Sequence, residues 1–376
     1  MAEDKTKDKK FAVLDKICGE LQKKFGKGSV NYLGNNKIEP LERIPTGSIA
    51  LDEITGGGWP VGRIIELYGK ESCGKTTACY HAIAEAKKKY PNKFTAFIDS
   101  EYSSDNSYAK SVGVNVEELV LAQPDSGEDA FGIVQGLIET GSFSLIVIDS
   151  VAAMVPRAET EEEDYGKQSM GVQARMMSKS LRKLVPIAAR YGTTIIFTNQ
   201  IRNKIGVMAG NPEDTAGGAA LKYYDSIRIK FSKIGTVEEG TGDNKEKVSI
   251  RVKAETTKNK TFPPYKKGEF IISFGKGIDN EASVIEGIVE KGIVQKKGAW
   301  IAYEGENIAQ GMTKFKELLS QKPELYEEMK KKLEDKLKGT TPIEVVKEDQ
   351  IDAENMTDEE IVSEVSNEET IESGEV

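Results

Sequence analysis

Apolar residues recur at spacings of three and four near the start of the chain, at Phe11, Leu14, Ile17, Leu21 and Phe25. That repeat lies on one face of an α-helix, so the spacing predicts an amphipathic helix over residues 10–25. Gly26, Gly28 and Gly34 then break the pattern. A single short helix on a flexible link cannot hold a core of its own. It must dock, either on its own core or on a neighbouring subunit.

The centre of the chain alternates between two patterns. Apolar runs predict strands at Ile64–Tyr68, Phe94–Asp99, Leu145–Asp149 and Thr194–Thr198. Helical periodicity covers Lys75–Lys89, Gly127–Thr140 and Val172–Tyr191. Strands that alternate with helices imply a parallel sheet covered on both faces. Around Ser226–Phe231, Val248–Lys253 and Glu269–Phe274 strand follows strand with only turns between, which predicts an antiparallel extension of the sheet. From about residue 280 short helices with Gly-rich turns give way to a Lys/Glu-rich helix reaching about residue 338. The expected fold is α/β, with a central, mostly parallel twisted sheet, an N-terminal helix and a small α+β C-terminal domain. The corresponding boundaries are 1–36, 37–275, 276–340 and a disordered acidic tail over 341–376.

Composition narrows the class. No run among the 376 residues approaches the roughly 20 apolar positions needed to span a bilayer, so no membrane association is expected. Met1 to Lys10 is polar and does not read as a secretory signal. Cys18, Cys73 and Cys79 lack zinc spacing and fit a reducing cytoplasm. The single histidine, His81, argues against histidine catalysis or a His-rich metal site and reads as a packed or surface helix residue. The net charge of −9 is unevenly spread: Glu348 to Val376 holds twelve acids and no Lys or Arg, which leaves +3 on the rest. Such a tail either competes with nucleic-acid phosphates for a mildly basic body or only aids solubility.

One segment carries specific chemistry. Gly69-Lys70-Glu71-Ser72-Cys73-Gly74-Lys75-Thr76 fits G-x-x-x-x-G-K-[ST] without mismatch, with an apolar strand before it and a helical stretch after it. In that context backbone N–H groups point at phosphate oxygens and the helix adds its positive end. Lys75 would reach the β- and γ-phosphates of ATP, and Thr76 would ligate Mg²⁺. Leu145 to Asp149 is an apolar strand ending in an acid, which places Asp149 at the sheet end where ligands bind and where it can hold Mg²⁺ through water. Glu101 follows another strand, where a carboxylate can orient and deprotonate a water, but local spacing does not separate it from Asp99. Gln200 ends the fourth strand and either senses the γ-phosphate or caps the strand. Arg175 and Arg182, seven apart, share a helix face that is either a DNA-phosphate contact or a solvated basic surface.

Several longer segments carry a resemblance. They are Phe25-Gly26-Lys27-Gly28-Ser29, Leu67 through Thr77, Phe97-Ile98-Asp99-Ser100-Glu101, Ile148-Asp149-Ser150-Val151-Ala152-Ala153, Asn199-Gln200-Ile201-Arg202, Ala220-Leu221-Lys222-Tyr223-Tyr224-Asp225-Ser226-Ile227-Arg228 and Lys258-Asn259-Lys260. In this order and spacing, over about residues 11–335, the chain resembles the bacterial RecA recombinases. The resemblance implies a RecA-like P-loop NTPase core and a DNA-dependent ATPase. It implies helical self-assembly on single-stranded DNA, pairing with a homologous duplex, and strand exchange in recombinational repair. It further implies loader proteins and co-protease activation of LexA-like repressors in an SOS response.

At residue level the resemblance makes Glu101 the catalytic carboxylate and Gln200 the link between ATP and DNA affinity. Asp105 and Tyr108 fall at the adenine, and Thr77 joins the phosphate loop. Lys258 and Lys260 reach the ATP of a neighbouring subunit, acting like arginine fingers in trans. Two segments resemble DNA-binding loops, around Glu161–Met170 and Ile201–Ala216; the second shows little helix or strand pattern. The implied contacts are Met170, Arg175, Ser178, Arg182, Arg202, Lys204, Ile205, Gly217 and Gly218, with Met170 and Ile205 as wedges between base triplets. The chain departs from the family at Lys70 (usually proline), Cys73 (usually a small hydroxyl residue, hence an expected thiol sensitivity), Ala209 (often aromatic) and Ala219 (usually asparagine). A closed hexameric helicase and a non-enzymatic DNA-binding mediator are the competing readings. The early helix and paired loops disfavour the first, and the intact Lys75, Thr76, Glu101 and Asp149 disfavour the second.

Overall fold

In the computed structural model, which describes residues 2–26, 30, 41–160, 171–203, 213–239 and 245–339, the chain opens with helix α1 (Ala2–Phe25). It starts ahead of the apolar repeat because a Lys- and Glu-bearing stretch sustains helix without an apolar face. Phe11, Ile17 and Phe25 remain 45%, 47% and 63% exposed, so the helix is not buried on its own subunit.

The core begins with β1 (Arg43–Ile44), α2 (Ile49–Thr55) and β2 (Trp59–Pro60), with β1 and β2 paired antiparallel. Strands and helices then alternate: β3 (Ile64–Gly69), α3 (Lys75–Lys89), β4 (Phe94–Asp99), α4 (Asn106–Ser111), β5 (Leu119–Ala122), α5 (Gly127–Glu139) and β6 (Phe143–Asp149). After α6 (Arg157–Thr160) come α7 (Val172–Tyr191), β7 (Thr194–Asn203), β8 (Glu213–Thr215) and α8 (Ala220–Tyr224). Strands β9 (Ile227–Glu239), β10 (Glu246–Asn259), β11 (Lys267–Ser273) and β12 (Gly277–Ile278) complete the sheet.

The order across the sheet is β12-β11-β10-β9-β3-β7-β6-β4-β5. Neighbours from β9 to β5 run parallel, and β9 to β12 pair antiparallel. Continuous apolar runs suit this centre because both faces are covered. Ile65, Leu67, Phe97, Val147 and Ile196 pack with Cys79, Ala82 and Ile83 of α3. Ile64, Ile98, Ile146, Ile148 and Phe197 face the other way, onto Phe131 and Val134 of α5 and Met177, Leu181 and Leu184 of α7.

Beyond the sheet lie α9 (Asn280–Glu290), β13 (Gln295–Lys297), β14 (Trp300–Tyr303), β15 (Glu306–Gln310), α10 (Gly311–Gln321) and α11 (Pro323–Gly339). A separate cluster, including Val284, Ile288, Ile301, Phe315, Leu319 and Leu333, forms the core of this part. The three strands are three to five residues long and make an antiparallel sheet, so this part is the small α+β domain expected, with its strands in a stretch whose local pattern shows helices and turns. Residues of the acidic tail from 340 onward lie outside the described residues.

His81 ties α3 to the edge strand β12. Its Nε2 accepts the Ile278 N–H at 2.8 Å, which fixes a neutral ring between α3 and β12. Burial pushes its pKa down to about 4 from 6.5. The unfolded chain therefore binds the extra proton first, and the contribution present above pH 6.5 is lost as pH falls toward 4, about 3 kcal/mol in all. His81→Gln keeps an acceptor without the titration. The urea midpoint should fall less between pH 7 and pH 4.5 in this variant than in the wild type, and equal falls would contradict the assignment.

Candidate functional site

Strand β3 ends at Gly69, flanked by Gln200 of β7 and Phe231 of β9, so the phosphate loop leaves the sheet at the C-terminal ends of its strands. Gly74 then starts α3 at φ 89°, a left-handed conformation that favours glycine. Helices α4 and α5 are capped by Asp105 and Ser126, but α3 has no side-chain cap and no acid in its first turn. Its leading N–H groups are thus left to an anion. Lys75 Nζ donates to Lys70 O at 2.8 Å and Gly69 O at 3.4 Å, which holds the ammonium against the loop.

Thr76 Oγ1 donates to Asp149 Oδ2 at 2.7 Å, and Thr198 Oγ1 donates to Oδ1 at 2.5 Å. Asp149 is buried; burial pushes its carboxyl up against the opposing pull of the two hydroxyls and Lys75. A hydroxyl beside a carboxylate is a hard-oxygen donor set that suits Mg²⁺, an ion that keeps waters and phosphate oxygens as its remaining ligands.

Two acids that the sequence left equivalent differ in what they touch. Asp99 is fully buried and accepts from Ser104 N at 3.0 Å, Ser103 N at 3.2 Å and Gln123 Nε2 at 3.1 Å. Burial pushes its carboxyl up, but these donors outweigh burial and hold it below the ordinary value. Asp99 is therefore spent on the loop after β4. Glu101 is exposed, and its Oε1 accepts from Ser150 Oγ and from Gln200 Nε2 at 3.3 Å. Gln200 lies inside β7 rather than at its end, because the strand runs on to Asn203. Thr77 Oγ1 and the Tyr108 hydroxyl lie 2.9 Å apart, which sets α4 beside α3. Asp105 caps α4 through Oδ1, accepting from Ser107 N and Tyr108 N.

The extension of β7 pairs with β8, Ile201 opposite Thr215 and Arg202 opposite Asp214. Segment 201–216 therefore starts and finishes as a two-stranded ribbon, although its sequence shows little helix or strand pattern. Three-residue pairings are too short to show a period of two. Lys204, Ile205, Ala209 and Met170 lie outside the described residues. Arg175, Ser178 and Arg182 share one face of α7, and both arginines are exposed. Gly217, at φ 81°, passes so close to Val151 that an added Cβ would stand 2.7 Å from its Cγ1; at Gly218 the corresponding neighbour is Ala174 Cβ, also at 2.7 Å. The foot of the ribbon thus rests on the first turn of the helix that bears the arginines. Among the described residues, Arg175, Arg182 and Arg202 form no ion pair.

The RecA N-terminal domain family matches residues 12–279, and the RecA C-terminal domain family matches residues 282–338. A protein named Protein RecA from a Nocardioides species is 48% identical over 325 residues, 86% of this chain and 91% of that protein. Its counterpart in Streptomyces avermitilis is 46% identical over 342 residues, 90% of this chain and 89% of that one. The chain belongs to the RecA family. Membership makes it an ATP-dependent DNA recombinase of recombination and repair, in a family of DNA-dependent ATPases that use ATP with Mg²⁺, bind single-stranded DNA and self-assemble. Among the described residues no helix is long and apolar enough to cross a membrane.

Within this RecA chain, Lys258 and Lys260 sit far from their own phosphate loop. Lys258 pairs in register with Arg228 and Asn259 with Ile227, at the start of β9, whereas Gly69 is level with Phe231. The offset is three residues along β9 and one further strand across, on the order of 10 Å in each direction. Lys258 Nζ instead donates to Asp225 Oδ1 and Lys222 O, both at 2.5 Å, and Lys260 Nζ to Tyr223 O at 3.1 Å. Asp225 is fully buried; burial pushes its carboxyl up to about 7 against the pull of Lys258. Reading the sequence overlooked Asp225, Thr198 and Ser150 as partners. Asp225 and Ser150 stand inside the quoted motifs, but nothing local shows which side chains they meet.

The departure at Cys73 is built into the loop. Its Sγ donates to Lys70 O at 2.9 Å, the side chain is buried, and burial pushes the thiol up. The expected thiol sensitivity therefore gives way to protection, since the reactive species is the thiolate. Cys79 is also buried, and Cys18 is partly exposed. A disulfide reagent should label Cys18 quickly in the native protein and all three thiols only in denaturant. Rapid native labelling of Cys73 would contradict this.

Proposed function

We propose that the subunit joins others head to tail in a helical filament on single-stranded DNA and pairs that strand with a homologous duplex. The observation that supports this most is the split of charged groups: one chain carries a phosphate loop with Thr76 and Asp149, while Lys258 and Lys260 lie at the opposite end of the sheet. Gly69, Glu71, Ser72, Cys73, Gly74, Lys75, Thr76 and Thr77 would hold ATP, with Tyr108 and Asp105 toward the base. Thr76 and Asp149 would hold Mg²⁺, which when bound neutralises charge on the transferring phosphoryl group. Glu101 orients the attacking water and takes its proton. Gln200 exchanges its bond with Glu101 for one that reports the γ-phosphate. Lys258 and Lys260 serve the next subunit's site, so hydrolysis follows assembly.

DNA would run along Arg175, Ser178 and Arg182, the Gly217–Gly218 pair and Arg202, with Met170, Lys204 and Ile205 completing the surface. In the same reading residues 1–36 link subunits, 37–275 form the ATPase core, 276–340 a C-terminal domain, and the acidic tail competes with DNA. The protein works in the cytoplasm with loader proteins, and its filament promotes cleavage of LexA-like repressors.

ATP turnover with and without single-stranded DNA tests the proposal. Wild-type turnover should rise strongly on adding DNA, and Lys75→Ala should lose it by about two orders of magnitude or more. Turnover indifferent to DNA would overturn the coupling, and closed rings seen by electron microscopy with an ATP analogue and DNA would overturn the filament.

A further inference from the structure

A carboxylate stands in β3 where packing calls for an apolar side chain. Glu66 lies between Ile65 and Leu67 and is wholly buried in the middle of the parallel sheet. Burying a carboxylate is unfavourable unless its charge and lone pairs are matched, and a well-packed apolar residue would serve stability as well. Two neighbours match it. Arg228 Nε on β9 donates to Oε2, and Asn199 Nδ2 on β7 donates to Oε1 at 2.8 Å.

Both neighbours reach further. Arg228 Nη2 donates to Thr215 Oγ1 at 3.1 Å, and its guanidinium lies 4.0 Å over the Tyr68 ring. Asn199 Nδ2 also donates to Ala216 O at 3.0 Å, and its Oδ1 accepts the N–H of Gln200 at 2.9 Å. Thr215 and Ala216 are the returning foot of the ribbon. One carboxylate, three residues before Gly69, thus ties the ribbon foot to the backbone of Gln200 through two side chains.

We infer that Glu66 is a positioning residue that couples the nucleotide site to the DNA-binding ribbon, acting through Arg228 and Asn199. The inference rests on the reading of Gln200 and the ribbon proposed above. Coupling of this kind is a ratio of affinities and is reciprocal between the two sites. A bracket that only kept the strands in register would affect both sites alike and leave the ratio unchanged.

The test is fluorescence anisotropy of a labelled oligo(dT) with and without a non-hydrolysable ATP analogue. The factor by which the analogue tightens DNA binding is the readout. Glu66→Gln keeps the shape and removes the charge. Thr215→Val removes only the hydroxyl at the ribbon foot, and Thr215→Ser restores it. The factor should fall about tenfold in Glu66→Gln and severalfold in Thr215→Val, yet stay within about twofold of wild type in Thr215→Ser. Affinity for a fluorescent nucleotide without DNA should not change. An unchanged factor in both Glu66→Gln and Thr215→Val overturns the inference. So does a parallel loss of nucleotide and DNA affinity with lowered melting temperature, which marks a structural role. Should Glu66→Gln fail to fold, the Thr215 pair carries the test alone. A wild-type factor of one would overturn the reading of Gln200 itself.

Discussion

Carboxylates buried within a parallel sheet must each be matched by donors, and that requirement places the parts of this protein. Asp149 draws Thr76 from the helix after the phosphate loop and Thr198 from the next strand. Asp99 gathers the N–H groups of Ser103 and Ser104 and the amide of Gln123. Glu66 recruits Arg228 and Asn199 from the strands on either side. Each match costs desolvation, so the gain lies in geometry more than in stability. Together they fix α3, the loop that carries Glu101, and the foot of the ribbon at the same end of the sheet.

In the proposed mechanism that end supplies half of a catalytic arrangement. The loop offers backbone donors, an ammonium and a hard-oxygen pair, and the exposed Glu101 stands between Ser150 and Gln200. Further cationic charge sits at the other end, where Asp225 and the carbonyls at the end of α8 hold Lys258. A surface carrying one half and a distant surface carrying the other make a heterologous contact, and such contacts extend into helices when they do not close. The half-exposed apolar residues of α1 fit the same logic, since a helix unburied on its own subunit gains by docking on the next.

The sequence made much of the frame legible. Apolar runs with sharp breaks located Phe94–Asp99, and strong periodicity located Lys75–Lys89 and Val172–Tyr191, at the ends the structure shows. Strand β5 escaped because it is four residues long, half-exposed and at the sheet edge. The ribbon escaped because its pairing joins residues ten to fourteen apart across only three positions. The phosphate loop announced itself because its chemistry is local. The choice between Asp99 and Glu101 was not local, since Gln123 helps decide it from just beyond β5, and there the family resemblance supplied what spacing lacked. Glu66 interrupts an apolar run, but the run reads as a strand either way, and its partners come from strands far along the chain.

The central claim is that hydrolysis takes groups from two subunits, and mixing two inactive chains tests it most directly. Lys75→Ala lacks a working phosphate loop but keeps Lys258 and Lys260; the Lys258→Ala/Lys260→Ala chain has the reverse defect. Each alone should hydrolyse ATP poorly on single-stranded DNA. An equal mixture should recover up to about a quarter of wild-type turnover, the fraction of interfaces that random head-to-tail assembly pairs correctly. A mixture as inactive as its components, or a double-lysine variant fully active alone, would contradict the account.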